Sequence, residues 1–509
     1  MKIPQNWRRF VVVGTAVALF LITLFVYVQT LSPTINSFDS AELITGAYTM
    51  GIIHAPGYPL YLLLAHAATQ WPGTTPAYAV NFLSALFGAG TAVFLFLTSW
   101  RLTHSLLASL LATLLAAFSR LFWSQSVIAE VYTLNTFLIS AWSLAVVSIY
   151  QQPQRKYWLW LGLLVGLSVT HHPSTVLLLP GLLPLLIHRL PRSRTLLLAA
   201  GLALLPFLLF LYLPWRSLAD PALNYVSWYF SVDLTMPGGV LWMMTGRMFA
   251  TELFGRPWAA TLREVVVLVQ QIWLNLFGAG LLLAFYGLYT LRREPVLVWF
   301  WGLGTAFTLF FFAAYNVIDH TDMILPALVL LVPPLAYGLQ QLGQDLLARW
   351  PALAHNAFVG QGLLLFSVGF LLLAVNWSYA DRSRDWSAYQ LAGYILATVE
   401  PDALIITQWT KATPLQYMQI VEGQRLDVEI LDRGLLALGI RDAYLRQGEA
   451  AARVYNNAIV AHLQQIIQEQ LPHRPIYITE EDPILDLIAC YKPIQTGLYR
   501  ITCAKTLDN

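Results

Sequence analysis

Residues 196–214 form an unbroken apolar run, LLLAAGLALLPFLLFLYLP. A helix needs about 20 apolar residues to cross the hydrocarbon core of a membrane, so this run is long enough to span one. Runs of similar character lie at 10–31, 79–100, 105–122, 133–150, 157–170, 174–188, 264–291, 296–318, 323–344 and 357–376. The two runs between Tyr157 and His188 are short and are also compatible with one broken pair. The sequence therefore predicts a mainly α-helical, polytopic membrane bundle of about eleven spans.

Composition excludes several classes of protein. Of the 509 residues, 57% are hydrophobic and 11% are charged, whereas soluble proteins carry about 25% charged residues. The mean hydropathy of +0.60 excludes a single water-soluble globule. The net charge of +2 does not favour a nucleic-acid binder, and we expect no such partner. Two cysteines are too few for a disulfide framework, and no Cys/His spacing indicates zinc.

The charged residues are distributed unevenly. Half of them lie in residues 377–509, which have the composition of an ordinary soluble domain. We therefore predict a membrane-embedded domain at 1–376, with outer loops at 32–78 and 215–263, and a soluble C-terminal α/β domain at 377–509.

Basic residues predict the orientation in the membrane. The first span follows Lys2, Arg8 and Arg9 and lacks a small-residue cleavage site, which indicates a retained anchor. With the N-terminus in the cytoplasm, nearly every compact basic cluster falls in an inner loop. The C-terminal domain is then extracytoplasmic. Short loops with few charges favour a prokaryotic plasma membrane.

The C-terminal domain shows alternating helix and strand patterns. Helices are predicted at 386–400, 413–422 and 449–471, and strands at 403–408, 426–431 and 474–479. A hairpin turning at Thr496-Gly497 would place Cys490 opposite Cys503, as a disulfide or as paired free thiols. No nucleotide-binding glycine loop precedes these helices, so the sequence assigns this domain no chemistry.

Polar residues that are costly to place in a membrane gather on the predicted outer face. A charge at the centre of a membrane helix costs roughly 2.5–3.5 kcal/mol, so such residues usually pair or line a cavity. Five separate segments contribute to this set, which predicts a shared outward-facing site. Its members are Asp39, Glu42, His54, Glu130, His171, His172, Arg216, Asp220, Arg247, Asp319 and Asp322.

Most of these residues also have a structural interpretation. Asp39 and Glu42 are spaced as a capping box with Asp39 at the N-cap, and His54 could cap a carbonyl at the interface. Glu130 could be a paired, snorkelling glutamate, and Asp319 could belong to a solvated turn.

The arginines and the adjacent histidines have such an interpretation as well. Arg216 could snorkel, and Arg247 could contact a lipid headgroup. His171 and His172 do not face one metal on a helix, because neighbouring residues point in different directions.

The stretch FDSAELITGAYTMGIIHAPGYPLY at 38–61 closely resembles the first-loop signature of a membrane family related to protein O-mannosyltransferases, which includes an endoplasmic-reticulum enzyme acting on immunoglobulin-like folds of plexin-type receptors. The resemblance extends over nearly the whole chain. It continues through IAEVYTLN, THHPS, YLPWRSLADPALNY, TGRMF, YNVIDHTDMILP, ILATVEPDALIIT and PLQYMQIVEGQRLDV. Such proteins are similar to the GT-C superfamily of integral-membrane glycosyltransferases. The resemblance implies transfer of a sugar from a polyprenyl-phosphate carrier, on the non-cytoplasmic face and with inversion.

The resemblance also implies roles for the polar residues. Family members place an acidic residue of the first outer loop at the reaction centre, which by motif match is Asp39, with Glu42 as the other candidate. Asp39 would act as the general base. The leaving phosphate would be bound by Arg247, Arg216 and His172, in that order of preference. The remaining substrate-binding candidates are His54, Glu130, Tyr132, His171 and Asp319.

Several alternatives stay open. We expect no cofactor, although Asp39, Glu42 and Asp319 could hold a divalent ion if they converge. The family's classical members have adjacent acidic residues and a β-trefoil domain, whereas this chain has D-x-x-E and an α/β tail. The sugar (mannose or similar) and the acceptor, whether protein, lipid or glycan, therefore remain open. A transporter or flippase of lipid-linked sugars and a noncatalytic scaffold are the rival classes.

Overall fold

The structure is a computed structural model that describes residues 5–351, 357–495 and 497–505. The chain forms two compact units, each assembled from distant segments. The helical unit comprises Met1–Leu31, Asn81–Leu209 and Thr251–Ser383, and the α/β unit comprises Ser32–Val80, Phe210–Ala250 and Arg384–Asn509. This division by packing cuts across the boundary near Trp377, which was drawn from composition alone. The first outer loop thus packs with the C-terminal segment.

In the described part of the helical unit, every regular element is a helix. Most are α-helices; Pro173–Leu182, Leu205–Leu211 and Asp322–Ile324 are 3₁₀ helices, and Trp299–Leu303 is a π-helix. The α-helices are Gln5–Gln29, Pro76–Thr103, Leu106–Ala117, Arg120–Gln125, Tyr132–Gln151, Arg155–His171, Leu183–Arg189, Ser193–Leu204, Trp258–Asn275, Ala279–Thr290, Pro295–Val298, Gly304–Ala314, Leu325–Leu330, Val332–Arg349 and Ala357–Ala380.

Six helices in the described ranges are long and apolar enough to cross a membrane, or up to eight if each of two bent pairs forms one span. The predicted span at 264–291 contains a break, because Trp258–Asn275 and Ala279–Thr290 meet at 103°. The break lies at Phe277 and Gly278, both of which have positive φ angles that end a right-handed helix. The count of about eleven spans stays a prediction.

Small residues allow close approach of helices within this unit. A β-carbon at Gly162 or Gly166 would overlap the backbone of Ala199 or Ala203 on the neighbouring helix. Small residues at such crossings favour van der Waals packing, which replaces the hydrophobic effect in a membrane. We infer that this packing holds the helix Arg155–His171, and with it His171 at its C-terminus, in place.

The α/β unit combines helices of the outer loops with those of the C-terminal segment. The helices are Asp39–Thr49, Pro59–Thr69, Tyr212–Leu218, Tyr225–Tyr229, Pro237–Met244, Arg247–Phe249 (3₁₀), Ser387–Thr398, Trp409–Ile420, Arg433–Arg446, Ala452–Gln470 and Pro483–Ile488. The predicted helices near 386–400, 413–422 and 449–471 are present. The helix Arg433–Arg446 was not predicted, since Gly434 and Gly439 weaken its sequence pattern.

The five strands of the α/β unit form one sheet. The strands β1 (Leu404–Thr407), β2 (Glu429–Asp432), β3 (Ile476–Ile478), β4 (Ala489–Gln495) and β5 (Leu498–Ala504) lie in the order β2-β1-β3-β5-β4. The first three are parallel, and the last two pair antiparallel to their neighbours. Because β2, β1 and β3 are parallel, their carboxyl ends lie at one edge of the sheet. The helix that begins at Trp409 follows directly from that edge.

Strands β4 and β5 form the predicted hairpin. Cys490 pairs with Cys503 in register, and the two form a disulfide with their Cα atoms 4.9 Å apart. The disulfide alternative is therefore the one adopted. Gly497 in the turn has a φ of 77°, and Thr496 lies outside the described residues.

Candidate active site

The first outer loop begins with a helix that we call the loop-1 helix, Asp39–Thr49. Its N-cap residue is Phe38, and no side chain caps its first turn. The capping-box interpretation of Asp39 and Glu42 is therefore wrong. Phe38 has φ 63° and ψ −138°, a backbone conformation close to one that only glycine adopts readily. Such strain costs about 1–3 kcal/mol and is common at functional sites.

Glu42 is fully buried and holds His54 through two hydrogen bonds. Its Oε1 accepts from the backbone N–H of His54 at 2.8 Å, and its Oε2 lies 2.6 Å from His54 Nδ1. A carboxylate accepts, so Nδ1 carries a proton. The other ring nitrogen, Nε2, lies 3.7 Å from Oδ2 of Asp39. The imidazole of His54 thus stands between the two carboxylates of the loop-1 helix.

Asp39 is the more accessible of the two carboxylates, with 21% of its side chain exposed. Its Oδ1 accepts a hydrogen bond of 2.8 Å from the indole N–H of Trp409. Burial raises the pKa of Asp39, and the charge of Glu42 adds to this, while His54 and the Trp409 N–H oppose it. The N-terminal position on a helix further favours a negative charge. Asp39 therefore combines accessibility with increased basicity.

Aromatic rings surround His54. The rings of Tyr58, Phe249 and Trp409 meet the imidazole edge-on, with centroids 5.3, 6.1 and 5.8 Å away. An apolar surrounding of this kind strengthens electrostatic interactions between the groups it encloses. The charges of the Asp39 site therefore act on each other more strongly than they would in water.

Neighbouring segments fix the far end of the loop-1 helix. Arg216 donates from Nε to the Met50 carbonyl at 2.7 Å and from Nη2 to the Thr49 carbonyl at 3.2 Å. Tyr212 donates to the carbonyl of Gly51 at 2.8 Å. Arg216, a predicted phosphate ligand, therefore uses two of its N–H groups to bind carbonyls at the C-terminus of this helix, where a cation is favourable.

The turn that follows His54 requires glycine at position 57. Gly57 has a φ of 82°, and a β-carbon there would press against Leu213 and Met243 at 3.0 and 3.2 Å. Beyond the turn, Pro59 starts the helix Pro59–Thr69. The motif H-A-P-G-Y-P thus has a defined conformational role in placing His54.

Trp409 was missed by the sequence analysis, which assigned the C-terminal segment no chemistry. In the structure this segment supplies the indole that contacts Asp39. A signal was available, since Trp409 follows the carboxyl end of the strand predicted at 403–408, and open α/β sheets bind ligands at the carboxyl ends of their parallel strands. Nothing in the sequence, however, linked Trp409 to Asp39, because 370 residues separate them.

Asp39, Glu42 and His54 together could hold a metal ion. Each offers one ligand atom, and these atoms lie within 4.8 Å of one another. Carboxylate oxygens and an imidazole nitrogen form a donor set that several divalent metals accept. The predicted ion site had Asp319 as its third ligand, with Asp39 and Glu42. In the structure the third ligand is His54, and Asp319 belongs to the helical unit. The expectation that no metal is needed stays a prediction.

The helical unit brings together three other predicted residues. The hydroxyl of Tyr132 donates to Oδ2 of Asp319 at 2.8 Å, and the Tyr132 ring lies 6.3 Å from the ring of His172. Glu130, two residues before Tyr132, is 94% buried, and its backbone N–H donates to the hydroxyl of Ser84 at 3.2 Å. The interpretation of Asp319 as part of an ordinary solvated turn does not account for its bond to Tyr132.

The adjacent histidines turn to different partners. His171 is fully buried with Nε2 3.0 Å from the Val131 carbonyl, while Nδ1 of His172 lies 2.7 Å from the hydroxyl of Ser174. The expectation that they do not share a metal agrees with this geometry.

Arg247 differs from these residues in being exposed. Within the described ranges its guanidinium makes no hydrogen bond or ion pair, and its neighbour Phe249 contacts His54. Arg247 is therefore available to bind an anion close to the Asp39 site.

A further buried carboxyl, Asp432, lies at the carboxyl end of β2. Its Oδ1 accepts from the backbone N–H groups of Gly434 and Leu435 at 2.8 and 3.1 Å, whereas Oδ2 is buried with no partner among the described residues. Burial raises the pKa of Asp432 to about 7. The folded state therefore binds the Asp432 proton more tightly than the unfolded state does.

Asp432→Asn is expected to make the protein more stable than the wild type at pH 8 but not at pH 5. Because the pKa of Asp432 is raised in the folded state, its contribution to the free energy of unfolding is full at low pH and is lost as the pH rises through about 7. At about 1.4 kcal/mol per unit, the wild type loses about 2–3 kcal/mol over this range, while the variant does not titrate. Melting temperatures of the full chain in detergent measure the difference. Asp402→Asn, an exposed control, should follow the wild type, and a pH-independent difference for Asp432→Asn would contradict the prediction.

Comparison with known proteins relates the chain to mannosyltransferases. Residues 39–195 match the family described as "Protein O-mannosyl-transferase TMEM260 N-terminal domain". The chain is 28% identical over 457 residues to the mouse protein O-mannosyl-transferase TMEM260, a match that covers 84% of this chain and 64% of the mouse protein. It is also 28% identical over 131 residues to the Dictyostelium discoideum protein of that name, covering 25% of this chain and 16% of the relative. Both relatives are eukaryotic, so the prokaryotic membrane stays a prediction.

Solved structures show the same fold at low sequence identity. ArnT from Cupriavidus metallidurans bound to undecaprenyl phosphate superposes with a TM-score of 0.57 at 12% identity, covering 96% of this chain and 97% of ArnT. The Archaeoglobus fulgidus oligosaccharyltransferase in complex with Zn and sulfate gives a TM-score of 0.53 at 12% identity, covering 93% of this chain and 71% of that protein. The likeness therefore extends over nearly the whole chain.

These comparisons agree with the helices and the first-loop motif. The chain is accordingly an integral membrane protein with a GT-C-like fold, and its sequence is similar to that of the protein O-mannosyl-transferase TMEM260 family, which confirms the predicted resemblance.

Proposed function

We propose that the chain is an inverting glycosyltransferase that moves a sugar, with mannose as the first candidate, from a polyprenyl-phosphate carrier to a hydroxyl acceptor on the outer face of the membrane. The observation that carries the proposal is the Asp39 carboxylate, with one oxygen bonded to Trp409 and the other beside His54. The names of the relatives support a mannosyl donor, and the undecaprenyl phosphate bound by ArnT supports a lipid-phosphate carrier.

The proposed chemistry is a single displacement. The acceptor O–H gives its proton to Oδ2 of Asp39 while the acceptor oxygen bonds to the anomeric carbon. The bond from that carbon to the phosphate oxygen breaks on the opposite face, so the configuration inverts and polyprenyl phosphate leaves with the electron pair. A base is most effective when its pKa approaches the working pH, and burial moves the pKa of Asp39 in that direction.

The leaving phosphate needs a cation, and Arg247 is the best placed candidate. Its guanidinium is exposed and has no partner within the described ranges, while its neighbour Phe249 contacts His54. Arg216 is less suited, because two of its N–H groups bind carbonyls of the loop-1 helix. The Tyr132–Asp319 pair, with Glu130 and His172, is proposed to orient the sugar or the acceptor.

Arg247→Ala is expected to weaken donor binding by about 10- to 100-fold, because a charge-assisted hydrogen bond contributes roughly 1.5–3 kcal/mol. The loss should appear in the KM for the donor more than in kcat, as measured by release of polyprenyl phosphate at varied donor concentration. Arg263→Ala removes another exposed arginine and is the matched control. An unchanged donor KM in Arg247→Ala would move the phosphate ligand to another residue.

Product release by the purified full chain in detergent tests the function itself. Polyprenyl-phosphate mannose, glucose and arabinose would be supplied as donors, each with and without EDTA. We expect transfer or slow donor hydrolysis with at least one donor. Lipid-linked sugar that binds but is never cleaved would instead favour a transporter or flippase.

The EDTA arm tests the metal expectation. The Glu42–His54 hydrogen bond already neutralises part of the negative charge of the site, so we expect activity to survive chelation. Activity that is lost in EDTA and restored by Mn²⁺ or Mg²⁺ would instead assign Asp39, Glu42 and His54 as metal ligands.

A further inference from the structure

One helix of the C-terminal segment, Trp409–Ile420, contacts the start of the loop-1 helix twice. We call it the clamp helix. The indole N–H of Trp409 donates to Oδ1 of Asp39 at 2.8 Å, and the hydroxyl of Thr413 donates to the carbonyl of Phe38 at 2.8 Å. The two donors are four residues apart and so lie on one face of the helix. They bind two consecutive residues, one of which is the proposed base.

We propose that the clamp helix is a positioning element of the active site, which holds Asp39 by Oδ1 and so selects Oδ2 as the oxygen that accepts the proton. The C-terminal domain is then part of the catalytic machinery and not an appended module. This inference rests on the function proposed above, and it assigns Trp409 and Thr413 roles that act through Asp39.

The bond from Trp409 fixes the orientation of the Asp39 carboxylate. A carboxylate can rotate and exchange its two oxygens, but rotation of Asp39 would break the bond from Trp409 to Oδ1. The other oxygen, Oδ2, is then the one held toward His54, at 3.7 Å from Nε2. Fixing a reacting group before substrate binds removes an entropic cost from the reaction.

The clamp helix is itself held rigidly, as a positioning element must be. The clamp helix starts two residues after β1, whose last residue Thr407 bonds to Thr479 of the segment following β3 through their hydroxyls at 2.6 Å. Further along, Gln416 accepts a hydrogen bond of 2.6 Å from the hydroxyl of Tyr225. The helix is therefore tied to the sheet at its start and to an outer-loop helix along its length.

The clamp helix also binds a strained residue of the backbone, Phe38. Phe38 is held at a positive φ of 63°, and the hydroxyl of Thr413 binds the carbonyl of this residue. Strained residues persist only where the surroundings over-determine them. The bond from Thr413 thus stabilises the conformation that presents Asp39 as the first residue of its helix.

The hydrogen bond from Trp409 also acts on the charge of Asp39. The titratable groups facing Asp39 are Glu42 on its own helix, His54 on the following turn and Tyr225 on an outer-loop helix. On the clamp helix, Lys411 is turned toward the Thr479 carbonyl and lies 3.9 Å from Glu480. The donor from the clamp helix is thus the indole N–H, which stabilises the ionised form of Asp39. Removing it must shift protonation of Asp39 to higher pH.

Trp409→Phe therefore tests the inference through the pH profile of transfer. We expect the acidic limb of kcat to move up by about one pH unit, the equivalent of one hydrogen bond to a charged group. Activity should fall about tenfold below the limb and largely recover above it, with the donor KM unchanged. Trp242→Phe is the matched control, because it also removes an indole N–H bonded to a carboxylate in the same unit, that of Asp442 at 3.0 Å. If the acidic limb of the kcat profile stays at its wild-type pH in Trp409→Phe, the inference is overturned.

Thr413 supplies a second variant with a conservative rescue. Thr413→Val removes the hydroxyl at nearly constant volume. It is expected to lower kcat about three- to tenfold, because that is the usual contribution of one hydrogen bond. Thr413→Ser keeps the hydroxyl and should stay close to wild type. Equal losses in both variants would indicate packing rather than positioning.

A readout without sugar transfer separates this inference from the proposed function. Carbodiimide labels protonated carboxyls, so the pH profile of labelling at Asp39, followed by peptide mass spectrometry on the full chain, reports its protonation directly. Labelling should extend to higher pH in Trp409→Phe and not in Trp242→Phe. If labelling shifts but the protein is inactive with every donor, the positioning role of Trp409 is kept and the proposed glycosyltransferase function is rejected. The absence of a shift in an active protein would reject the positioning role alone.

Discussion

Asp39→Asn is expected to lower kcat for sugar transfer by about a hundred- to ten-thousandfold, the usual contribution of a general base. Asparagine keeps the shape of the side chain and an oxygen that can accept the bond from Trp409, but it cannot take up the acceptor proton. Release of polyprenyl phosphate measures the loss, and donor binding measured on the same preparation should change little.

The control for this variant is Asp402→Asn, an exposed aspartate of the same unit. It should retain wild-type activity and a wild-type melting temperature. If Asp39→Asn kept most of its activity, the base would have to be another carboxyl, and Glu42 and Glu130 would be the next residues to replace.

Glu42→Gln is expected to be nearly as damaging, with a fall in kcat of at least about a hundredfold. The introduced amide could still accept from the His54 backbone through its oxygen, but its N–H₂ group would face Nδ1, which carries the proton in the wild type. The imidazole would then have to lose that proton and reverse its tautomer. The reversed tautomer would place a proton on Nε2, which lies 3.7 Å from the Oδ2 atom of Asp39 that is proposed to take up the acceptor proton.

Melting temperature separates this effect from simple unfolding. Glu42 is fully buried, so Glu42→Ala would leave the Nδ1–H and backbone N–H of His54 unpaired and should destabilise the protein by about 3–5 kcal/mol. Glu42→Gln should be much milder in stability, and the exposed Glu422→Gln serves as its matched control. Near-normal kcat in Glu42→Gln would limit Glu42 to a structural role.

The membrane fold could be predicted because apolar length is a local property. The run at 196–214 is apolar whatever surrounds it, and a helix is the form that satisfies its backbone in a bilayer. The break within 264–291 could not be predicted in the same way. Both of its halves are apolar, and the 103° bend comes from two residues with positive φ that hydropathy does not register.

The candidate site was predicted in part. Asp39, Glu42 and His54 lie close together in the sequence, and their structural convergence in the α/β unit was suggested by the motif. The sequence left their geometry ambiguous, because the spacing of Asp39 and Glu42 is also that of a capping box. In the structure Glu42 is buried and binds His54, so it does not form the capping box. Phe38 takes the N-cap position without a capping side chain.

By itself, then, the sequence determined the helical membrane character of the chain, the strands of its C-terminal segment and the acidic residues of its first loop, because hydropathy, strand pattern and motif are carried by neighbouring residues. Only the tertiary structure decided that the loop and the C-terminal segment form one unit in which Trp409 reaches Asp39. A contact across 370 residues depends on how distant elements pack, and no local pattern in the sequence records that packing.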